Sequence, residues 1–315
     1  MSIEDSLKFN PQTEIERVCS FVASEVKRRG VHGVLLGLSG GLDSTTCAYL
    51  LARALPMDQI HVMLLPERDS SAGPRQNALK TIEALNLAYS DKNLGELFEL
   101  LGLYRIVPEK LAGDRAGLER GTNLMRRLSG SAFLFNWTQR FAYGERRGLA
   151  ARVLRSRYWD YAGKTEAFIL GKVRARMLVL STQAALFDSL LVCTTDRSEW
   201  SVGFYDPLGD GAGDIAPLRH LYKTQIRVLA RALGVPEEIV NQPSSGDLAA
   251  GLPNEVAMGV TYSQLDHVLA GLNLGLGESE IARQAGVSRA MVRGIRASCE
   301  LADQRRRLPL GLENA

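Results

Sequence analysis

Apolar positions along the chain follow two different periods, and their alternation predicts the architecture. Over residues 12–29, Ile15, Val18, Phe21, Val22 and Val26 recur at spacings of three and four, the pattern of an amphipathic helix with one buried face. Residues 33–38, GVLLGL, form a short continuous apolar run and predict a buried strand. A helix over 43–54, a second strand over 59–65 (QIHVMLL), a helix over 74–85 and a weak third strand over 88–91 follow. Further on, the pattern predicts a helix over 172–187 and a fourth strand over 190–195 (LLVCTT). A last helix over 222–233 stops at Gly234, with Pro236 just beyond. Strands alternating with helices imply right-handed crossovers and a doubly wound, mostly parallel α/β sheet covered on both faces. Such sheets bind ligands at the carboxyl ends of their strands, where the turn at Ser39 falls.

Composition narrows the class without naming it. A hydrophobic share of 45% and a charged share of 23% over 315 residues are those of a globular protein with a sizeable core. No apolar run approaches the roughly 20 residues of a membrane span, and the N-terminus lacks the layout of a secretory signal. Cys19, Cys47, Cys193 and Cys299 are far apart with no C-x-x-C pair, which argues against a zinc site or disulfide framework and fits a reducing cytoplasm. The four histidines, His32, His61, His220 and His267, are equally scattered and read as structural.

The candidate chemistry begins at the end of the first strand, in Gly37-Leu38-Ser39-Gly40-Gly41-Leu42-Asp43-Ser44. Gly40 and Gly41 let the backbone approach a ligand closely, and the amides opening the next helix favour an anion. The string is neither a G-x-x-x-x-G-K-[ST] loop nor a G-x-G-x-x-G fingerprint. GLSGG does match the nucleophile elbow of serine hydrolases. Only one helix and one strand precede it, leaving no clear oxyanion loop, and His220 and His267 have no distinguishing context. The plain alternative is a glycine-rich turn.

Read whole, Ser-Gly-Gly-x-Asp-Ser after a buried strand resembles the pyrophosphate loop of ATP pyrophosphatases. Two further stretches, CTTDRSEWSVGFYDPLGDGAGDIAPLRHLYKTQ from Cys193 and PSSGDLAAGLPNEVAMGVTYSQLDHVL from Pro243, resemble ammonia-dependent NAD⁺ synthetases. The resemblance covers roughly 30–95 and 166–270 and implies an adenine nucleotide alpha-hydrolase-like, Rossmann-like fold. It also implies ATP- and Mg²⁺-dependent amidation of nicotinic acid adenine dinucleotide. Carried over position by position, Gly37, Ser39, Gly40, Gly41 and Ser44 would hold the phosphates, and Thr194, Lys223 and Ser245 would contact ATP. Asp43 and Glu199 would hold Mg²⁺, with Asp43, Lys223 and Glu199 as the catalytic groups. On the acid side, Arg174, Asp214, Gln304 and Arg305 fall at positions that contact that substrate in the family. Here the departures concentrate: Pro207 replaces a lysine, Asn254 an aspartate, and Gln304-Arg305 a His-Lys pair. They leave open a relative that amidates a different carboxylic acid. The short stretch before the first strand leaves no room for a glutamine-hydrolysing domain, so free ammonia, or ammonia from a separate partner, is the expected nitrogen source. Family members are homodimers, so the resemblance implies a cytoplasmic homodimer.

Two segments stand apart from one synthetase domain formed by 1–103 and 166–270. Residues 104–165 carry 13 Lys/Arg against 5 Asp/Glu, within a chain of net charge +3. Arginines interleaved with aromatics there read as a solvated helical face, a lid or dimer arm, or a nucleic-acid surface. The helical tail, 271–315, contains ESEIARQAGVSRAMVRGIRA from Glu278, a helix-turn-helix pattern with Gly286 in the turn and Ser288 as N-cap. That leaves a DNA-binding regulator as the reading from another class, with packing of the tail as the plainer account.

Overall fold

The computed structural model describes residues 2–106, 117, 120, 158–246 and 253–306. The elements run α1 (Ile3–Leu7), α2 (Pro11–Arg29), β1 (Gly33–Gly37), α3 (Leu42–Ala54), β2 (Ile60–Leu64), α4 (Ala72–Leu85), β3 (Ala88–Asp91) and α5 (Gly95–Leu100). They continue with α6 (Tyr158–Leu186), β4 (Ser189–Val192), α7 (Arg197–Val202), α8 (Lys223–Leu233) and α9 (Glu237–Val240). The C-terminal helices are α10 (Asn254–Met258), α11 (Tyr262–Asn273), α12 (Glu278–Ala285) and α13 (Arg289–Arg305).

The four strands among the described residues form one parallel sheet in the order β3-β2-β1-β4. Because β1 pairs with β2 on one side and β4 on the other, the chain order reverses across β1. The loops after β1 and β4 therefore part there and leave a crevice, the place where an open α/β sheet takes its ligand. Strand period decides what covers each face. Val34, Leu36, Val62, Leu190 and Val192 pack in a core with apolar residues of α2, α3, α4 and α8. Leu35, Met63 and Leu191 point the other way, against Met177, Leu180 and Ala184 of α6. The sheet is thus buried on both faces, as its unbroken apolar runs require.

Two boundaries and one helix-face assignment differ from the sequence pattern for identifiable reasons. Helix α6 starts at Tyr158 rather than 172, reaching into the basic segment. Its apolar residues are spread round the helix instead of forming one stripe, and its fully buried Lys172 breaks the pattern further. Lys172 Nζ donates to Glu67 Oε1 (2.9 Å) and Asp69 Oδ2 (2.6 Å), tying the segment after β2 to α6. Strand β4 ends at Val192 because the chain then turns toward Ile215, whose carbonyl accepts from Cys193 N at 2.8 Å. Phe21 is 41% exposed, since it lies about 100° round α2 from the buried Val22. Most of 104–165 lies outside the described residues, and with it the expected lid or dimer arm.

The helices after β4 build a second core from Val202, Met258, Tyr262, Leu265, Val268, Ile281, Ala285, Val292 and Ile295, closed by Ile3 of α1. The expected helix-turn-helix geometry is present. Gly286 adopts φ +64°, and Ser288 Oγ caps α13 by accepting from Met291 N at 3.1 Å. Its apolar positions face this core, and an ion pair of Arg296 with Glu278 (3.0 Å) joins α13 to α12. Packing therefore accounts for the pattern.

Candidate active site

Local backbone chemistry sets the loop after β1. Gly40 takes φ +79°, and a Cβ there would lie 1.9 Å from the Pro74 carbonyl oxygen of α4. Only glycine tolerates both the conformation and the approach. Gly37 lets α6 pack closely, since a Cβ there would meet Leu180 Cδ1 at 2.9 Å and the leucine would have to shift. Gly41 is the N-cap of α3 and brings no side-chain oxygen to the helix amides. The first amides of α3 thus keep their bonding capacity for a ligand, at the positive end of the helix dipole. Ser39 and Ser44 hold the loop in shape: their Oγ atoms are 2.9 Å apart, and Ser44 Oγ also accepts from Ser39 N (3.2 Å). Gly40→Ala is expected to lower stability by about 2 kcal/mol or more, from left-handed strain plus the clash, measurable by urea unfolding.

Beside this loop three helices, α3, α7 and α8, deliver charge to one point. Lys223, the first residue of α8, is fully buried. Its Nζ donates to Asp43 Oδ2 (2.7 Å) of α3 and Glu199 Oε1 (3.1 Å) of α7. It also faces Asp196 Oδ2 at 2.8 Å, as an ion pair rather than a directed hydrogen bond. Tyr262 OH donates to Glu199 Oε1 (2.8 Å), and Asn254 Nδ2 reaches the same oxygen at 3.4 Å. Burial acts to lower the Lys223 pKa, but the carboxylates of Asp196, Asp43 and Glu199 outweigh it, and the ammonium is held well above its ordinary range. Burial, and then the charge of Glu199, push the Asp196 carboxyl up.

The oxygens left over point to a cation. Asp43, Asp196 and Glu199 each bring a carboxylate oxygen within 4.8 Å of the others. Asp43 Oδ1 is buried and has no hydrogen-bond partner among the described residues. On Glu199, the three donors named above all meet Oε1, leaving Oε2 outside that network. Hard carboxylate oxygens with unused capacity, next to a phosphate-type loop, suit Mg²⁺, which is usually held by one or two carboxylates and completed by substrate phosphates.

The structure brings Ser39, Gly40, Gly41, Asp43, Ser44, Glu199 and Lys223 together. Thr194 lies just past the end of β4, beside β1. Ser245 sits in the irregular run 243–246, next to Ser244, whose carbonyl accepts from Asn254 N (2.8 Å). The other expected residues are engaged elsewhere. Arg174 forms a bidentate pair with buried Asp206 (2.7 and 3.1 Å). Asp214 accepts from Leu191 N (2.9 Å) and Arg29 Nη1 (3.0 Å) along the edge of β4. Arg305 donates to the Gly203 carbonyl (3.1 Å), while Gln304 is exposed. Sequence reasoning missed Asp196 and Tyr262. Asp196 had one local signal, the D-x-x-E spacing to Glu199, whose N–H its Oδ1 accepts at 2.8 Å. A hydrolase elbow gains no support: Ser39 bonds Ser44, His220 pairs with Glu14 and His267 bonds the Ser263 carbonyl.

A parallel sheet with a phosphate-type loop and an acidic cluster at its switch point defines a nucleotide-binding α/β protein. The family model described as NAD synthase matches residues 14–139 and 160–309, and the chain belongs to that family. It is 32% identical to an NH(3)-dependent NAD(+) synthetase of Thermotoga maritima over 255 residues, covering 81% of this chain and 85% of the relative. A synthetase of the same description from Methanopyrus kandleri is 29% identical, over 95% and 86% of the two chains. Among solved structures, an NMN synthetase from Francisella tularensis superposes with TM-score 0.68 at 22% identity, over 96% of this chain and 99% of the other. An NH3-dependent NAD synthetase from Campylobacter jejuni gives 0.64 at 21% identity, over 97% and 100%. These two share the fold.

Proposed function

We infer that the protein is an amide-forming ligase. It transfers AMP from ATP to the carboxylate of nicotinic acid adenine dinucleotide, releasing pyrophosphate, and passes the acyl group to ammonia to give NAD⁺ and AMP. The observation that carries this reading is the convergence of Lys223, Asp43, Asp196 and Glu199 beside the uncapped N-terminus of α3. A carboxylate resists ammonia because oxide is a poor leaving group. Adenylation turns that oxygen into a phosphate ester that can depart. The pyrophosphate leaving from ATP is the group the loop fits, through the Gly40, Gly41 and Ser44 backbone and the Ser39 and Ser44 hydroxyls. The Lys223 ammonium supports the same charge as a fixed point charge. Asp43 and Glu199 would hold Mg²⁺, which when bound neutralises phosphate charge. Thr194 and Ser245 are read as further ATP contacts, and Arg174, Asp214, Gln304 and Arg305 as the acid side, on the family resemblance. The same reading carries a cytoplasmic homodimer with it. Its support is that resemblance.

A second reading, an amide ligase for another carboxylic acid, is favoured by one specific observation. Arg174 is already matched by buried Asp206, and the next residue is Pro207 instead of the family's lysine, so the acid side offers less free positive charge. Incubation with ATP, Mg²⁺, ammonium and nicotinic acid adenine dinucleotide separates the two. AMP and NAD⁺ formed in equal amounts support the first. AMP and pyrophosphate released only with a different acid would favour the second.

A further inference from the structure

Helix α11 reaches the cluster from outside the segments that carry its charges. Tyr262 and Asp266, one turn apart, share a face of the helix, and both are buried. Tyr262 OH donates to Glu199 Oε1 and accepts from Asn254 Nδ2 (3.0 Å). The Lys223 ammonium lies 4.9 Å from the centre of its ring. Asp266 works one layer further out. Its Oδ1 accepts from Ser198 Oγ (2.5 Å) and its Oδ2 from Thr224 N (2.9 Å), while Ser198 Oγ accepts from Lys223 N (2.9 Å). One carboxylate thus joins the first turn of α7, which carries Glu199, to the first turn of α8, which carries Lys223.

We propose that α11 is the positioning element of the active site: Tyr262 orients Glu199 so that Oε2 faces the metal position, and Asp266, through Ser198, fixes α7 and α8 relative to one another. A glutamate side chain has three rotatable torsions, and pinning one oxygen with a buried phenol removes most of that freedom before any ligand arrives. Hydrogen bonds to the groups that ligate a metal act on affinity for this reason, and losing one typically costs about 10- to 100-fold in metal affinity or activity. The inference rests on the reading of Asp43 and Glu199 as Mg²⁺ ligands.

The test uses the full chain with Mn²⁺ as a paramagnetic probe in the presence of ATP, read by electron paramagnetic resonance, alongside steady-state kinetics of AMP release. Tyr262→Phe keeps the ring and loses only the hydroxyl. It is expected to weaken Mn²⁺ binding about 10-fold and to lower kcat while leaving KM for the acid unchanged. Asp266→Asn and Ser198→Ala are each expected to lower kcat, and their combined loss is expected to fall short of the sum, because they share the Ser198–Asp266 hydrogen bond while each also holds α8 by a contact of its own. Wild-type Mn²⁺ affinity and kcat in folded Tyr262→Phe would overturn the proposal, as would independent, additive losses in the Asp266/Ser198 pair. A wild-type protein that binds no Mn²⁺ with ATP would overturn the metal reading itself, and this inference with it.

Discussion

Asp43→Asn is expected to abolish AMP formation with any acid, by at least about 10³-fold, while leaving the protein as stable as before or more so. The two halves of that outcome come from the same geometry. Asp43, Asp196 and Glu199 place three carboxylates around one ammonium, an excess of negative charge held in a partly buried space. Removing one charge with an isosteric amide relieves like-charge repulsion, and the amide oxygen can still accept from Lys223. Catalysis has no such compensation. The buried Asp43 Oδ1, which has no hydrogen-bond partner among the described residues, is the oxygen offered to a cation, and a neutral amide is a much weaker ligand. A melting curve and an AMP assay on the same preparation check both halves. Loss of fold together with loss of activity would mean that Asp43 is mainly structural.

Lys223→Met should fail in the opposite way, in fold and activity together. The lysine is fully buried and is the cation that these carboxylates share. Without it, buried charge is left unmatched, which typically costs about 3–5 kcal/mol, on the order of 10 °C in melting temperature for a chain of this size. AMP release is expected to vanish, because the fixed charge facing the departing pyrophosphate goes with it. A divalent cation bound by the same carboxylates would replace part of that charge. Mg²⁺ should therefore raise the melting temperature of Lys223→Met by more than that of the wild type. Differential scanning calorimetry across a Mg²⁺ series measures this. Equal increments in both proteins would place the cation elsewhere.

The two predictions separate what the sequence makes legible from what it does not. The turn from β1 into α3 is written locally: an apolar run, two glycines and a first-turn aspartate together specify an uncapped helix N-terminus at a strand end. The sheet follows from the same kind of short-range pattern. The cluster around Lys223 is different, because residues 43, 196/199, 223, 254 and 262 come from five separate helices, and only the 196/199 pair is joined by a local spacing. Lys223 and Glu199 became visible through resemblance to a family, not through period or composition. Asp196 stayed hidden because its local role, capping α7, explains it fully until its second oxygen is seen to face Lys223. Tyr262 reads as the apolar start of an amphipathic helix, which it also is. Nothing local marks Lys172 as buried either, since its burial against Glu67 and Asp69 is a long-range contact. Arg174 is assigned to the acid side by the family resemblance alone. Its pairing with Asp206 depends on a turn folding back onto α6, a long-range contact with no sequence signature.

The account's central claim is that the turn after β1 and the carboxylates beside it hold the triphosphate and its metal. A crystal structure of the protein with Mg²⁺ and an ATP analogue that cannot be cleaved between its α and β phosphates tests this most directly. The expected result places the β and γ phosphates against Ser39, Gly40, Gly41 and Ser44, with Mg²⁺ bonded to Asp43 and Glu199 at about 2.1 Å. A nucleotide bound at another surface, with this turn and these carboxylates free of phosphate and metal, would contradict it.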